Sequence, residues 1–213
     1  MMRKALNDYS LYVFDLDGTL YDQPKLRRIM AMRLMMYYAV HPHLAKELFL
    51  LSHFRKVKDK WTQSSSDEDV IRQVATDTGA DADKVSGVVK KWIYDDPLTA
   101  LRRTRDDSLF EWIGKLRAAG KKVVILSDYP TEDKMKALEI EADRQYGPDD
   151  DRIDELKPSP KGLMVIMEDF GADPGDVLMI GDRTEKDGKC AEAAGVDHLI
   201  LARNIGKRGS YEV

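Results

Sequence analysis

The stretch LYVFDLDGTL at residues 11–20 limits the possible folds more than any other part of the sequence. Its first half is a short, unbroken apolar run, which is typical of a strand buried on both faces of a parallel sheet. Asp15 and Asp17 end the run, and alternation along a strand would place both carboxylates on one side, where their charges repel. Such a pair indicates a bound cation, or different chemical tasks for the two acids.

Further apolar runs predict the other strands of this sheet. Residues 122–127 and 176–182 are also rich in Val, Ile and Leu, 198–203 is predicted to form an edge strand, and 144–146 a short one. Helical patterns lie between these runs; one of them, at 107–120, ends at a glycine. Alternating strands and helices predict an α/β fold, a Rossmann-like doubly wound parallel sheet with its ligand site at the carboxyl ends of the strands.

The segment that follows the first strand has a different character. It shows no convincing strand and consists of amphipathic helical stretches at 24–40, 43–61, 67–78 and 81–94, with polar loops between them. We interpret residues 21–105 as a helical cap inserted over the mouth of the sheet. The predicted domains are therefore an α/β core, formed by residues 1–20 and 106–213, and this cap.

Chemically capable side chains follow several of the predicted strands. Ser127 and Asp128 follow the second main strand, Asp182 and Asp187 follow the third, and Lys157 lies in the connecting loop ELKPSP. The carboxyl ends of parallel strands meet at one edge of a sheet, so these groups are expected to converge with Asp15 and Asp17. Several carboxylates, one hydroxyl and one lysine suit a site for Mg²⁺ and a phosphoryl group.

The motifs DLDGT, LSD, LKP and GDRTEKD, in this order, resemble the four signature motifs of the haloacid dehalogenase superfamily. The position of the helical insertion is similar to that of the first cap type in this superfamily, and the resemblance covers nearly the whole chain. It implies a phosphatase of this superfamily in which Asp15 is the nucleophile that becomes an aspartyl-phosphate. Asp17 would protonate the leaving alcohol and then activate water, which gives the two acids different tasks.

The same resemblance implies the remaining site residues. Mg²⁺ would be bound by Asp15, the main-chain carbonyl of Asp17 and Asp182, with Asp187 in the outer shell or holding Lys157. Other residues would fix the loop or bind the phosphate, namely Thr19 by hydrogen bonding, Ser127 as a hydroxyl donor, Lys157 as a compensating charge and Asp128 through its amide.

Two positions depart from the pattern or add to it. Many capped relatives have Asn at the position of Asp128, so an inward-facing carboxylate there would add negative charge near the phosphate. Arg183 directly follows Asp182 and is expected to reach the phosphate or to pair with Asp187.

The predicted function is Mg²⁺-dependent hydrolysis of a small phosphorylated metabolite, with a phosphomutase, a phosphonatase or a non-catalytic phosphate-ligand-binding module as alternatives. Dehalogenation is disfavoured because the dehalogenase branch lacks the acid at Asp17. The net charge of −4 makes a nucleic-acid partner a poor expectation. No apolar run spans a bilayer, the N-terminus lacks the apolar core of a signal peptide, and the single cysteine, Cys190, fits a reducing compartment. We therefore predict a cytoplasmic protein without a membrane partner, and the sequence leaves its oligomeric state open.

Overall fold

A five-stranded parallel sheet forms the centre of the protein in the computed structural model, which describes residues 4–61, 67–209 and 211. Residues 1–3, 62–66, 210 and 212–213, which the predicted domains include, lie outside this description. The strand order is β3-β2-β1-β4-β5. The strands are β1 (Leu11–Phe14), β2 (Lys122–Leu126), β3 (Arg144–Tyr146), β4 (Val177–Gly181) and β5 (Asp197–Ile200).

Helices cover both faces of this sheet, as alternation along β1 requires. Tyr12 and Phe14 face one side, where Trp112 packs edge-on against both rings at centroid distances of 5.9 and 5.5 Å. Leu11 and Val13 face the other side and join a second apolar cluster. The helices of the core are α6 (Asp107–Ala118), α7 (Glu132–Leu138), α8 (Lys161–Phe170) and α9 (Lys189–Ala194). The predicted doubly wound α/β fold is confirmed.

The edge strand is displaced from its predicted position. β5 covers Asp197–Ile200 instead of 198–203, because its partner β4 ends at Gly181. The amide of Leu201 still donates to the carbonyl of Gly181, at 2.8 Å, but no further β4 residue is available for pairing. Because β4 ends at Gly181, Asp182 lies at the carboxyl edge of the sheet.

Residues 21–105, between β1 and α6, contain helices and no strand in their described part. This segment has an apolar cluster of its own, formed by Leu50, Phe54, Val70, Val74, Val85 and Val89. Its helices are α1 (Gln23–Val40), α2 (Lys46–Lys60), α3 (Asp67–Thr78), α4 (Ala82–Val89) and α5 (Asp96–Leu101). The helical region does not end at residue 94, where the last predicted stretch ends. A π-helical turn, Lys90–Asp95, leads directly into α5, whose Pro97 lies in the first turn, where its missing N–H costs nothing.

The two connections between this helical segment and the sheet run side by side. Tyr21 and Arg105 form an antiparallel bridge, the amide of Asp22 donates to the carbonyl of Thr104 at 2.7 Å, and that of Asp106 donates to Leu20 at 3.1 Å. We propose that residues 21–105 form a separate cap domain, because the chain enters and leaves it through this one paired region. Within the described ranges, no helix is long and apolar enough to cross a membrane.

Substitution by alanine at two helical glycines should change the free energy of unfolding in opposite directions. At Gly162 in α8, a Cβ would lie 2.8 Å from Leu126 Cδ1, whereas at Gly114 in α6 it would meet nothing within 4 Å. We expect Gly162→Ala to lower the free energy of unfolding by about 1–3 kcal/mol through overpacking. Gly114→Ala should raise it by about 0.5–1 kcal/mol, since alanine loses less backbone entropy on folding. Urea denaturation of both variants checks the pair, and a stabilising Gly162→Ala would contradict this packing of α8 on β2.

Candidate active site

Three buried carboxylates meet at the carboxyl edge of the sheet. Asp15 follows β1, Asp182 follows β4, and Asp187 lies in a π-helical turn, Thr184–Gly188, beyond Asp182. One carboxylate oxygen from each lies within 4.8 Å of the others. Among the described residues, no hydrogen bond reaches Asp182 Oδ1, although it is buried. A buried oxygen without a donor, beside two further carboxylates, fits the ligand set of a hard divalent cation.

Two glycines provide the space that this cluster needs. Gly18 has φ +96°, and a Cβ on it would lie 2.8 Å from Asp182 Oδ2. A Cβ on Gly181 would lie 2.3 Å from Asp187 Cγ. The backbone at both positions therefore approaches a carboxylate more closely than any other residue allows. This explains the glycine in each of the motifs DLDGT and GDRTEKD.

The crowding of these acids alters their acidity. Burial, together with the charges of Asp187 and Asp17, raises the pKa of Asp15 to about 8, although Lys157 opposes the shift. Burial and the charge of Asp187 likewise raise the pKa of Asp182. Crowded negative charges disfavour the ionised forms of these acids, and a bound cation would favour them.

Lys157 supplies positive charge inside this cluster. Its Nζ lies 2.5 Å from Asp15 Oδ1 and 2.8 Å from Asp187 Oδ1, and its side chain is buried. Burial alone would lower the pKa of this ammonium group, but the charges of Asp15, Asp187 and Asp128 hold it well above its ordinary value. Lys157 is therefore a buried cation that joins the two predicted acidic motifs. Thr19 completes the surroundings of Asp15 by donating to its Oδ2 at 2.9 Å.

Asp17 has donors on several sides. Lys134 Nζ contacts its two oxygens at 2.6 and 2.9 Å, the Tyr21 hydroxyl donates at 2.5 Å, and Ser127 Oγ at 3.3 Å. Burial alone would raise the pKa of Asp17, yet the charge and hydrogen bond of Lys134, with the two hydroxyls, lower it. Asp17 is thus stabilised as the carboxylate in this structure, whereas the assigned acid role requires a proton at the first step.

Lys134 was not identified from the sequence. It lies in the first turn of α7, directly after the loop that carries Ser127. A helix that follows a parallel strand begins at the same edge of the sheet as the site, so the position of Lys134 after LSDYPTED was the available signal.

Asp128 contributes to the site in a way that the sequence did not predict. Its Oδ1 accepts from the backbone amide of Lys157 at 3.0 Å, and its Oδ2 accepts from Lys186 Nζ at 2.9 Å. The carboxylate therefore holds the Lys157 loop and is neutralised by Lys186, so it adds no unbalanced charge near a phosphate. The assignment of its amide as a phosphate donor remains a prediction.

Arg183 does not make the predicted side-chain pair with Asp187. Its backbone amide donates to Asp187 Oδ2 at 3.0 Å. Its guanidinium instead lies 3.1 Å from Glu185 Oε1 and 3.6 Å from Asp59 Oδ1 of the cap segment. The ion pairs of the Arg183 side chain are thus with Glu185 and Asp59, and only its backbone amide binds Asp187.

The cap segment also meets the site at Tyr129. Lys58 Nζ of α2 lies 5.3 Å from the centre of this ring, and Lys134 Nζ lies 4.9 Å from it. Lys58 is buried and pairs with Asp67 at 2.8 Å. Tyr129 thus contacts two lysines that are both paired with acids, Lys58 with Asp67 and Lys134 with Asp17.

The fold and the site together are those expected of a superfamily of hydrolases. The sheet is parallel and has a helical insertion after its first strand, and buried acids lie with a lysine at its carboxyl edge. A family model described as haloacid dehalogenase-like hydrolase matches residues 9–195. The chain belongs to this family, which confirms the resemblance of the four motifs. No curated protein matches the chain.

Solved structures of low sequence identity have the same fold. The L-2-haloacid dehalogenase from Xanthobacter autotrophicus with chloropropionic acid covalently bound has 17% identity and a TM-score of 0.63, over 92% of this chain and 78% of that one. YfnB from Bacillus subtilis, assigned as a HAD hydrolase and bound to magnesium, has 15% identity and a TM-score of 0.62, over 91% of this chain and 88% of that one. A protein from Thermotoga maritima assigned as a β-phosphoglucomutase has 13% identity and a TM-score of 0.60, over 91% of this chain and 85% of that one. At these identities the likeness shows the fold alone.

Proposed function

We propose that this protein is a Mg²⁺-dependent phosphomonoesterase that acts on a small phosphorylated metabolite through an aspartyl-phosphate. The observation that carries the proposal is the pair formed by Asp15 and Asp17, with Ser127 Oγ 3.3 Å from Asp17 and Lys157 Nζ 2.5 Å from Asp15. Displacement of a halide needs no proton donor, because the halide leaves as a stable anion. An alcohol leaving a phosphate ester does need one, and a second carboxylate beside the nucleophile can supply it.

The residues present fit a magnesium ion. Asp15 and Asp182 would hold it together with the main-chain carbonyl of Asp17, and Asp187 would remain in the outer shell, where it contacts Lys157. When bound, the ion would neutralise charge on the phosphoryl oxygens and keep Asp15 ionised. Asp182 Oδ1, which accepts no hydrogen bond within the described ranges, supports this assignment, because such an oxygen is available to a cation.

The chain's own groups suffice to describe two balanced steps. In the first, an oxygen of Asp15 attacks phosphorus and the bond from phosphorus to the ester oxygen breaks, while Asp17 gives its proton to the departing alkoxide. In the second, Asp17 takes a proton from water, the water oxygen attacks phosphorus, and Asp15 leaves as the carboxylate. Ser127 and Lys157 would bind the phosphoryl oxygens and Thr19 would orient Asp15, which is the positioning that phosphoryl transfer requires.

Lys134 takes part in the first of these steps through its contact with Asp17. In the structure it neutralises Asp17, with Nζ at 2.6 and 2.9 Å from the two carboxylate oxygens. A phosphate ester that arrives beside Ser127 offers this ammonium group other anionic oxygens. We infer that substrate binding draws Lys134 from Asp17 to the ester, and so frees Asp17 to carry the leaving-group proton.

The decisive experiment measures inorganic phosphate release from a panel of sugar phosphates, phosphoglycolate and nucleotides, with Mg²⁺ or with chelator. A parallel assay measures chloride release from 2-chloropropionate. We expect phosphate release that requires the metal, and no chloride release. Chloride release without phosphate release would reject the proposal. Transfer of phosphate between positions of one sugar would favour a mutase. Phosphate release from a carbon–phosphorus bond would favour a phosphonatase. Ligand binding without turnover would favour a binding module.

A further inference from the structure

The C-terminal segment, residues 202–209 and 211, packs against the loop that carries the predicted catalytic acids. Its short 3₁₀ turn, Ile205–Lys207, is followed by Arg208, whose side chain is only 3% exposed. Tyr211 stacks on Trp112 of α6 at a centroid distance of 5.1 Å, and Trp112 in turn packs on β1. The segment is therefore part of the structural support of the first strand.

Arg208 makes four hydrogen bonds from its buried guanidinium. Nη2 donates to the carbonyl of Gly18 at 2.7 Å and Nη1 to that of Thr19 at 2.6 Å, which are consecutive carbonyls of the turn after Asp17. Nη1 also donates to Asp106 Oδ2 at 2.8 Å, and Nε donates to Ala202 at 2.7 Å. A planar guanidinium has donors in the geometry that such a set requires, and a lysine does not.

Three of these acceptors lie in or next to the two connections between the cap segment and the core. Gly18 and Thr19 precede the first connection, whereas Asp106, which is 2% exposed, ends the second. The amide of Asp106 donates to Leu20 at 3.1 Å, and its Oδ1 accepts from Leu109 at 3.2 Å in the first turn of α6. Arg208 thus links three parts of the chain in one buried cluster. These are the Gly18–Thr19 turn after Asp17, the region where both connections pair, and the C-terminal segment.

We propose that Arg208 is a positioning residue that fixes the Gly18–Thr19 turn, and through it the placement of Asp17 and Thr19 relative to Asp15. The effect on turnover rests on the proposed phosphatase function. The guanidinium contacts backbone oxygens behind the acids and leaves Ser127 and Lys157 untouched, so substrate binding should depend little on it. Its loss should therefore act on the chemical step.

The test combines steady-state kinetics with hydrogen–deuterium exchange. For Arg208→Ala we expect kcat on the best phosphate ester to fall about 30- to 100-fold, because small displacements of a reacting group are costly, while KM stays within about threefold. Exchange should accelerate in peptides covering 16–22 and 104–109 and remain unchanged in β2 and β4. Arg208→Lys should restore part of kcat. Lys207→Ala, a change at the neighbouring exposed lysine, should alter none of these quantities.

The exchange experiment separates this proposal from the phosphatase assignment. If the wild-type protein releases no phosphate, the assigned function fails, but faster exchange confined to 16–22 and 104–109 still supports the positioning role. Unchanged exchange there in Arg208→Ala, or a rise in KM with kcat unaltered, overturns it. If Arg208→Ala does not fold, Arg208→Lys and Asp106→Asn, which weaken the same cluster, decide the question through the same two measurements.

Discussion

Asp15→Asn is expected to reduce phosphate release by at least ~10⁴-fold, because loss of a nucleophile removes the covalent path altogether. The variant should still fold, since asparagine has nearly the same shape and can keep the hydrogen bond from Thr19. Phosphate release at saturating Mg²⁺ and substrate measures the effect, and thermal unfolding without substrate measures the fold. Residual activity within tenfold of wild type would exclude Asp15 as the nucleophile.

Isotope labelling in the wild-type protein provides the control for this prediction. In H₂¹⁸O, hydrolysis of an aspartyl-phosphate by attack at phosphorus places the label in the released phosphate. An ester formed at a carbon atom would instead be opened at the Asp15 carboxyl carbon, and the label would enter the protein. A single turnover followed by mass spectrometry of the peptide containing Asp15 therefore distinguishes phosphatase from dehalogenase chemistry. Label in Asp15 would contradict our proposal.

Lys157→Met is expected to be the most destabilising substitution at the site. It removes the ammonium group between Asp15 and Asp187, at 2.5 and 2.8 Å, and leaves both buried carboxylates without a counter-charge. Removing one partner of a buried ion pair costs about 3–5 kcal/mol, and the loss of a charged phosphate donor should lower kcat about 10²- to 10³-fold. Urea denaturation in the presence of chelator measures the first effect.

Magnesium should partly reverse this destabilisation. A cation bound to Asp15 and Asp182 would replace some of the missing positive charge, so the Mg²⁺-induced rise in unfolding temperature should be larger in Lys157→Met than in wild type. Lys136→Met provides the matched control, because Lys136 pairs with Glu132 on the exposed face of α7 and its removal should change nothing measurable. If Lys157→Met unfolds at the same urea concentration as wild type, Lys157 does not balance the acid cluster.

The sequence predicts the sheet and its acidic edge well because both depend on local patterns. An apolar run ending in Asp15 indicates a buried strand, and parallel strands bring Ser127 and Asp182 to the same edge without any knowledge of the helices. The convergence of Lys157 with Asp15 and Asp187 was therefore predictable, and the structure brings these three together. The roles assigned to them remain predictions.

Contacts set by tertiary packing could not be read in the same way. The position of Lys134 after a parallel strand indicates the right edge of the sheet but not its contact with Asp17, and Arg208 lies 190 residues from the Gly18 carbonyl that it binds. No periodicity marks either residue, since both are single charged side chains in polar surroundings. The orientation of Asp128 also depended on the position of Lys186, which lies in a different loop.

The pairing of the two connections at Tyr21 and Arg105 has a consequence for how residues 21–105 could be replaced. Since the chain leaves and returns at hydrogen-bonded neighbours, residues 21–105 are attached to the sheet as an insertion is attached to a surface loop. Leu50, Phe54 and Val70 give that insertion a core of its own. None of the pairings within the five-stranded sheet involves a described residue of this segment, although Leu26, Trp92 and Leu101 pack in the same apolar cluster as Phe14 and Trp112. We therefore expect a replacement for the segment to leave the sheet pairings unchanged, provided that it covers the same apolar face of the core.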